Sequence, residues 1–124
     1  WNHLQAGNYE DAAMSFWYPD FPDAAGTLVP FCYSTNPPPD GCCNFSYYAN
    51  SQVDKLLDEA AVETDLARRA QLFQEVNKII YKEAPRVWLY HIKEAMPATV
   101  KLKGLEPGPM FFFQHFLQDV WLAK

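Results

Sequence analysis

The stretch Asn50–Ala61, which reads NSQVDKLLDEAA, decides how the centre of this 124-residue chain folds. Its apolar side chains recur at intervals of three and four residues, which is the spacing of one face of an α-helix. They are Val53, Leu56, Leu57, Ala60 and Ala61. Asn50 and Ser51 are both candidates for the N-cap, and Asp54 follows Ser51 by three residues, as in a capping box. The stretch therefore predicts an amphipathic helix that begins at about Ser51.

Helical and strand-like patterns alternate on both sides of this stretch. A second helical pattern covers residues 65–83 and is ended by Pro85, and Asp23 is placed to cap a short helix over residues 24–31. Strand-like runs occur at residues 11–17, 87–91, 100–103 and 120–122. The continuous apolarity of residues 87–91 predicts a strand that is buried on both faces. Strands separated by helices point to an α/β fold.

The composition limits the classes of function. The chain has 10 Lys and Arg residues against 15 Asp and Glu residues, a net charge of −5. This argues against nucleic acid as a partner, because phosphate backbones are bound by clustered positive charge. Aromatic residues make up 16% of the chain, and so many rings are expected to line a core, a cleft or an interface. No run of about 18 apolar residues occurs, so no membrane-spanning segment is expected.

Three cysteines, Cys32, Cys42 and Cys43, lie in one Pro- and Gly-rich loop over residues 32–46. A bond from Cys32 to Cys42 or Cys43 would close a loop of about ten residues and contribute about 3 kcal/mol in the chain-entropy model. We favour this pairing, which implies an oxidising compartment. The alternative is three reduced thiols packed as small hydrophobic side chains. A metal site is disfavoured, because zinc takes four ligands and no histidine lies in this loop.

No pattern of a catalytic or metal-binding site occurs in the sequence. The chain lacks a G-x-S-x-G elbow, a P-loop, a Rossmann glycine fingerprint and an H-E-x-x-H pair. His3, His91 and His115 are far apart in sequence, so we expect surface or structural roles for them. We therefore expect a protein that is not an enzyme and that holds no metal and no cofactor.

Four blocks of sequence carry a family resemblance. Residues 16–23 read FWYPDFPD, residues 44–60 read NFSYYANSQVDKLLDEA, residues 68–70 read RRA, and residues 82–91 read KEAPRVWLYH. In this order they resemble the W-x-x-D, N-(F/Y)-S-x-Y-x-N, K/R-R-A and E-x-A-P-x-x-x-L-Y-H elements of the extracellular solute-binding proteins of family 5. That family serves peptide and nickel ABC importers. The chain departs from the family pattern at Ala24, where proline is usual, and in its cysteine-bearing insertion.

The resemblance implies the architecture and the role of the chain. The implied fold is α/β, the C-terminal portion of a two-lobed, type II-like periplasmic binding protein with a mixed sheet and flanking helices. Residues 1–92 would belong to the second ligand-binding lobe, and residues 93–124 would cross back to complete the first. Since the chain opens on Trp1 without an initiating Met or a signal-peptide pattern, we expect a processed or excised part of a longer protein.

The implied function is transport. The full-length protein would be periplasmic or extracellular, in some cases anchored to the membrane, and would bind a short peptide between its lobes for delivery to a membrane ABC permease. Other ligands of the family, namely an oligosaccharide, a nickel chelate or haem, are the alternative. From a different class, a protein-interaction module without a small-molecule ligand stays open.

The candidate ligand-binding residues are Asp20, Trp17 and Tyr18. In peptide-binding members the acidic residue of the W-x-x-D block pairs with the free α-amino group of the ligand, and the resemblance gives Asp20 this role. A carboxylate in a closed cleft makes a charge-assisted hydrogen bond to an ammonium group. Alternation along a strand would point Trp17 and Tyr18 in opposite directions, and the resemblance favours Trp17 in the cleft. Asp20 as a turn residue and Trp17 as a core residue are the alternatives.

Overall fold

A computed structural model describes residues 2–8, 14–90, 97–106 and 118–124. Its elements are α1 (Asn2–Gln5), α2 (Ala25–Cys32), α3 (Ser51–Val62), α4 (Leu66–Glu83), β1 (Leu102–Lys103) and β2 (Trp121–Leu122). None of the helices found in these ranges is long and apolar enough to cross a membrane. The chain divides into two compact units, which are described separately. The helical unit comprises Trp1–Trp17 with Asp23–Trp88, and the second unit comprises Tyr18–Pro22 with Leu89–Lys124.

Helix α3 begins where the sequence predicts, and Asn50 is its N-cap. The Asn50 side chain accepts the backbone N–H groups of Gln52 at 2.9 Å and Val53 at 3.3 Å. This satisfies two donors that the first turn of a helix leaves without a helical partner. The alternative, Ser51 as the cap with Asp54 as its capping-box partner, is wrong. The Asp54 carboxylate instead accepts a backbone N–H from the preceding loop at 2.9 Å.

Helix α4 follows the predicted bounds to within one residue. Asp65 is its N-cap and accepts the N–H groups of Ala67 at 2.8 Å and Arg68 at 3.2 Å. At the other end, Ala84 adopts the left-handed conformation, with φ 47° and ψ 51°, and donates its N–H to the Ile80 carbonyl at 2.8 Å. Helix α4 therefore ends at Ala84, whose Cβ makes the left-handed conformation unfavourable.

Replacing Ala84 with glycine is expected to stabilise the chain by about 0.5–1 kcal/mol, because glycine adopts the left-handed conformation without a Cβ penalty. The measurement is urea denaturation followed by far-UV circular dichroism. Ala70→Gly is the matched control: Ala70 lies in the exposed interior of the same helix, where glycine should cost about 1 kcal/mol. A loss of stability in both variants would contradict the capping argument.

The core of the helical unit forms where α3 packs against α4 and α2. Helix α3 contributes Val53, Leu57 and Ala60 of its predicted apolar stripe, while Leu56 is half-buried and Ala61 is exposed. The loop before it contributes one cysteine. The buried apolar residues are Leu28, Phe31, Cys32, Cys43, Val53, Leu57, Ala60, Leu72, Phe73, Val76 and Ile80. The 3.6-residue periodicity of the sequence thus identifies the buried faces of both long helices.

Two of the predicted strands are not observed. Residues 14–17 are irregular, and residues 11–13 lie outside the described ranges. Residues 87–90 are also irregular, with side chains between 55% and 82% exposed, and residue 91 is not described. A continuously apolar run becomes a buried strand only where neighbouring strands satisfy its backbone groups, and no strand ladder joins residues 87–90 to another described residue.

The second unit contains a two-stranded antiparallel sheet near the predicted positions. Leu102 pairs with Leu122, and Lys103 pairs with Trp121. Gly104 ends β1 with φ +73°, a conformation that favours glycine. Helices and strands are thus both present, as an α/β class requires. The described sheet is antiparallel, and the mixed sheet of the type II-like architecture stays a prediction.

Candidate functional site

The candidate ligand segment is Tyr18–Pro22, which carries Asp20 between two prolines. Pro19 and Pro22 each hold their own φ near −65°, which restricts the path of the segment. Asp20 is exposed, and within the described ranges no hydrogen bond or ion pair engages its carboxylate. The turn-residue alternative would have its oxygens accept neighbouring backbone amides, and no such bond to a described residue is observed. The role of Asp20 toward a ligand stays a prediction.

Trp17 is anchored on helix α2. Its indole Nε1 donates a hydrogen bond to the Gly26 carbonyl at 2.8 Å, and its ring meets Phe31 edge to face with centroids 5.1 Å apart. The side chain is partly buried against the core. These contacts fit the alternative that Trp17 packs as a core residue, and contact of its remaining surface with a ligand stays a prediction. Tyr18 is half-buried, and its predicted role is likewise untested.

Asp23 joins two helices, which its predicted role as a cap describes only in part. Helix α2 begins one residue later than predicted, at Ala25, and Ala24 occupies the N-cap position, but Asp23 Oδ1 still accepts the Ala25 N–H at 2.8 Å. The same carboxylate forms a bidentate ion pair with Arg69 of α4, with Arg69 Nη1 on Oδ2 and Nη2 on Oδ1 at 3.0 Å. The hydrogen bond from Arg69 is the main reason that the pKa of Asp23 lies below its ordinary value of 3.8, and partial burial opposes this shift.

Arg69 is itself held by two further contacts. Its Nε donates to the Ala60 carbonyl in α3 at 2.9 Å, and its guanidinium lies over the Phe73 ring at 4.8 Å from the centroid. The Arg69 and Asp23 side chains are 23% and 27% exposed. Arg69, from the R-R-A block, therefore connects α4 to the start of α2 through Asp23 and to α3 through the Ala60 carbonyl. Periodicity did not identify this role, because the partner lies 46 residues earlier.

Asn44 explains why the longest resembling block begins with asparagine. Its side chain is fully buried and donates to the carbonyls of Tyr33 at 3.2 Å and Tyr48 at 2.7 Å. Its Oδ1 accepts the Tyr48 N–H at 3.1 Å and the Ser46 hydroxyl at 3.2 Å. The amide thus satisfies backbone groups in a loop that has no regular secondary structure.

Glu83, at the end of α4, ties the same block to that helix. Its carboxylate accepts the Tyr48 hydroxyl at 2.5 Å and the Asn50 side-chain amide at 3.0 Å on each oxygen. The Tyr48 hydrogen bond is the main cause of a lowered pKa of Glu83, while burial followed by the Glu83 hydrogen bond raises the pKa of Tyr48. The N-F-S-x-Y-x-N block is therefore a structural element that fixes the entry to α3.

The cysteines pair differently from the favoured prediction. Cys42 and Cys43 form a disulfide between neighbouring residues, and Cys32 is a free, buried thiol. Pairing of Cys32 with Cys42 or Cys43 is thus not found, although a disulfide in this loop is. Burial raises the pKa of Cys32 to about 11. Loop length estimates the entropy of a cross-link but does not decide among neighbouring partners, and the core takes up Cys32 as a small hydrophobic side chain.

Arg86 is a half-buried cation that the sequence did not single out. Its guanidinium lies over the Phe31 ring at 4.2 Å and the Trp88 ring at 5.5 Å, and Nη2 donates to the Phe31 carbonyl at 3.1 Å. Its Nε is buried without a hydrogen-bond partner among the described residues. Burial is the main cause of a lowered pKa of Arg86.

The described residues contain no cluster of three or more His, Cys, Asp or Glu side chains that could hold a metal ion. His3 lies in α1, and the other two histidines, at positions 91 and 115, lie outside the described ranges.

Comparison with known proteins identifies several relatives. The chain is 34% identical over 104 residues to the probable D,D-dipeptide-binding periplasmic protein DdpA of Escherichia coli K12, covering 84% of this chain and 20% of that protein. It is 26% identical over 121 residues to the peptide transport periplasmic protein SapA of Haemophilus influenzae, covering 93% and 20%. It is 30% identical over 98 residues to heme-binding protein A of H. influenzae, covering 79% and 17%. No protein-family model matches the chain, and no solved structure matches it.

These relatives define a class of periplasmic binding proteins that take part in transport and are not enzymes. Within that class, the chain belongs to the extracellular solute-binding proteins of family 5. It spans about a fifth of the length of the curated relatives it matches.

Proposed function

We propose that the complete protein containing this chain is the substrate-binding component of an ABC importer and that it binds short peptides. The observation that carries the proposal is the 34% identity over 104 residues with a protein named as D,D-dipeptide-binding. A second relative is named for peptide transport. The protein works in the periplasm or outside the cell, and relatives named as lipoproteins support a membrane-anchored form.

The proposed architecture is that of a two-lobed, type II-like binding protein with a mixed sheet. Residues 1–92 belong to the second lobe and residues 93–124 to the crossover and tail that complete the first. The helical unit ends at Trp88, close to this proposed boundary, although Tyr18–Pro22 groups with the second unit. Ligand binding shifts the protein from an open to a closed arrangement of the lobes, because a ligand held by both lobes binds the closed state more tightly. The closed, loaded protein then delivers its ligand to the membrane permease.

Asp20 is the proposed contact for the α-amino group of the peptide, with Trp17 and Tyr18 beside it. An exposed carboxylate on a proline-bounded segment supports this assignment, since an ammonium group can reach it. Enclosure between the lobes would strengthen the pair, because water screens a charge-assisted hydrogen bond at an open surface.

In the complete protein, Asp20→Asn is expected to weaken binding of tri-alanine about 10- to 100-fold, since a hydrogen bond to a charged group contributes about 1.5–3 kcal/mol. Isothermal titration calorimetry measures the dissociation constants. Asp40→Asn is the control, because it removes an exposed carboxylate from a loop of the helical unit. An unchanged dissociation constant in Asp20→Asn would contradict the amine contact.

Haem is the second candidate ligand, because a relative with 30% identity over 79% of the chain is named as a heme-binding protein. Titration of the complete protein with hemin separates the two proposals. Binding of hemin with no binding of tri-alanine or other short peptides would favour this alternative and would leave Asp20 without an amine to contact.

A further inference from the structure

Both residues that flank the Tyr18–Pro22 segment are anchored on the helical unit. On one side, Trp17 donates from Nε1 to the Gly26 carbonyl of α2 at 2.8 Å and packs on Phe31. On the other side, the Asp23 carboxylate accepts the Ala25 N–H at 2.8 Å and pairs with Arg69. The segment that carries Asp20 is therefore a five-residue connection whose two ends are fixed.

The anchor at the Asp23 end requires the shape of an arginine side chain. Arg69 uses its guanidinium for both oxygens of Asp23 and its Nε for the Ala60 carbonyl at 2.9 Å, while the same planar group lies over the Phe73 ring. A lysine offers a single point of charge and cannot make the bidentate pair together with the Nε bond. The fixed end thus depends on groups from three helices, α2, α3 and α4.

Fixed ends and internal prolines limit the conformations of a short segment. Pro19 and Pro22 remove freedom at two of the five positions, and short, stiff closures leave few alternative paths. A binding group on such a segment is ordered before the ligand arrives, so binding does not have to order it. A charge-assisted hydrogen bond depends on the placement of both partners, so the position of the segment bears directly on its strength.

We propose that Trp17 and Arg69 are positioning residues for recognition of the ligand's amine: they hold the two ends of the Tyr18–Pro22 segment so that Asp20 meets a cationic amine in a preset orientation. The inference rests on the proposed function, in which Asp20 is the amine contact. Arg69 acts through Asp23, and Trp17 acts through its bond to α2. Neither residue needs to touch the ligand for this effect.

The test compares two probes in the complete protein, tri-alanine with a free amine and N-acetyl-tri-alanine without one. The ratio of their dissociation constants by calorimetry reports amine selectivity. Trp17→Phe, which keeps a ring and removes the Nε1 donor, is expected to lower this ratio about threefold to tenfold, as is Arg69→Lys. The dissociation constant of the acetylated probe should stay within about twofold in both variants. Arg68→Lys, at the neighbouring exposed position, is the matched control and should leave the ratio unchanged.

If Trp17 and Arg69 had only structural roles, their substitution would weaken the binding of both probes equally or would lower only the melting temperature. Either outcome would overturn the inference. Asp23→Asn provides a third variant, because its amide oxygen can still accept the Ala25 N–H while the ion pair is lost. If Asp20→Asn brings the ratio of the two dissociation constants to about one but the Trp17 and Arg69 variants leave it at the wild-type value, the inference is wrong and the proposed function stands. If the wild-type protein shows no amine selectivity, or Asp20→Asn keeps it, the amine contact itself is wrong and the positioning role fails with it.

Discussion

Replacing Asn44 with leucine is expected to lower the free energy of unfolding by about 4 kcal/mol, although leucine has the same number of side-chain heavy atoms and the same branching at Cγ. The Asn44 side chain is fully buried and serves the carbonyls of Tyr33 and Tyr48 and the N–H of Tyr48. Each buried backbone group left without a partner costs about 1–3 kcal/mol. Urea denaturation of the chain, followed by far-UV circular dichroism, gives the loss directly.

Two further variants separate the hydrogen bonds of Asn44 from its bulk. Asn44→Asp keeps the shape but removes both donors and places a charge in the core, so a loss of at least similar size is expected. Ser46→Ala removes only an exposed hydroxyl that donates to Asn44, and its loss should stay below about 1 kcal/mol. A loss below 1 kcal/mol in Asn44→Leu would mean that the loop reorganises and that Asn44 does not organise it.

Arg69→Ala is expected to destabilise the chain by about 2–3 kcal/mol at neutral pH. The substitution removes a partly buried bidentate pair with Asp23, the bond to the Ala60 carbonyl and the contact with the Phe73 ring. Charge-assisted hydrogen bonds of this kind exceed neutral ones, and the exposed fraction of both side chains limits the total. Arg68→Ala, which removes the same side chain from the exposed neighbouring position, should cost less than about 0.5 kcal/mol.

The effect of Arg69 should also depend on pH in a defined direction. The pKa of Asp23 is lower in the folded chain than its ordinary value of 3.8, so its stabilising contribution is fully present above that value. The contribution is lost as the pH falls through the lowered, folded-state pKa, because the unfolded chain binds the proton more readily. The difference in unfolding free energy between wild type and Arg69→Ala should therefore narrow below pH 3.8. A difference that stays constant down to acid pH would show that packing alone carries the effect.

The parts of the fold that sequence predicts well are those with local causes. Helices α3 and α4 start directly after Asn50 and Asp65, because the side-chain oxygens of these N-caps accept the first N–H groups two and three residues later, and such spacing is visible in the sequence. Their buried faces follow from periodicity. The prediction of a buried strand over residues 87–91 is wrong for residues 87–90, because the layer that would have to cover them is not a local property of the sequence.

In the candidate site, too, the roles with local causes were predictable and those that depend on distant residues were not. The resemblance of residues 16–23 drew attention to Asp20 and Trp17, and the local capping role of Asp23 was also predictable. The pair with Arg69 spans 46 residues and could not be deduced from spacing alone. The pairing of the cysteines likewise could not be deduced from spacing, since Cys32 and Cys43 are both buried in the core and only Cys43 is bonded. The unpartnered Nε of Arg86 is visible only once three-dimensional packing is known.

The exposure of residues 87–90 bears on which preparation of the protein can be screened. Four consecutive large apolar side chains are exposed there, on backbone that belongs to no strand ladder among the described residues, so we expect this segment of the 124-residue chain to bind apolar peptides non-specifically. Adhesion of that kind ignores the terminal charge of the peptide. A peptide library screened against the 124-residue chain would thus rank peptides by non-specific apolar binding. The same library screened against the complete protein is expected to rank them by specific ligand binding.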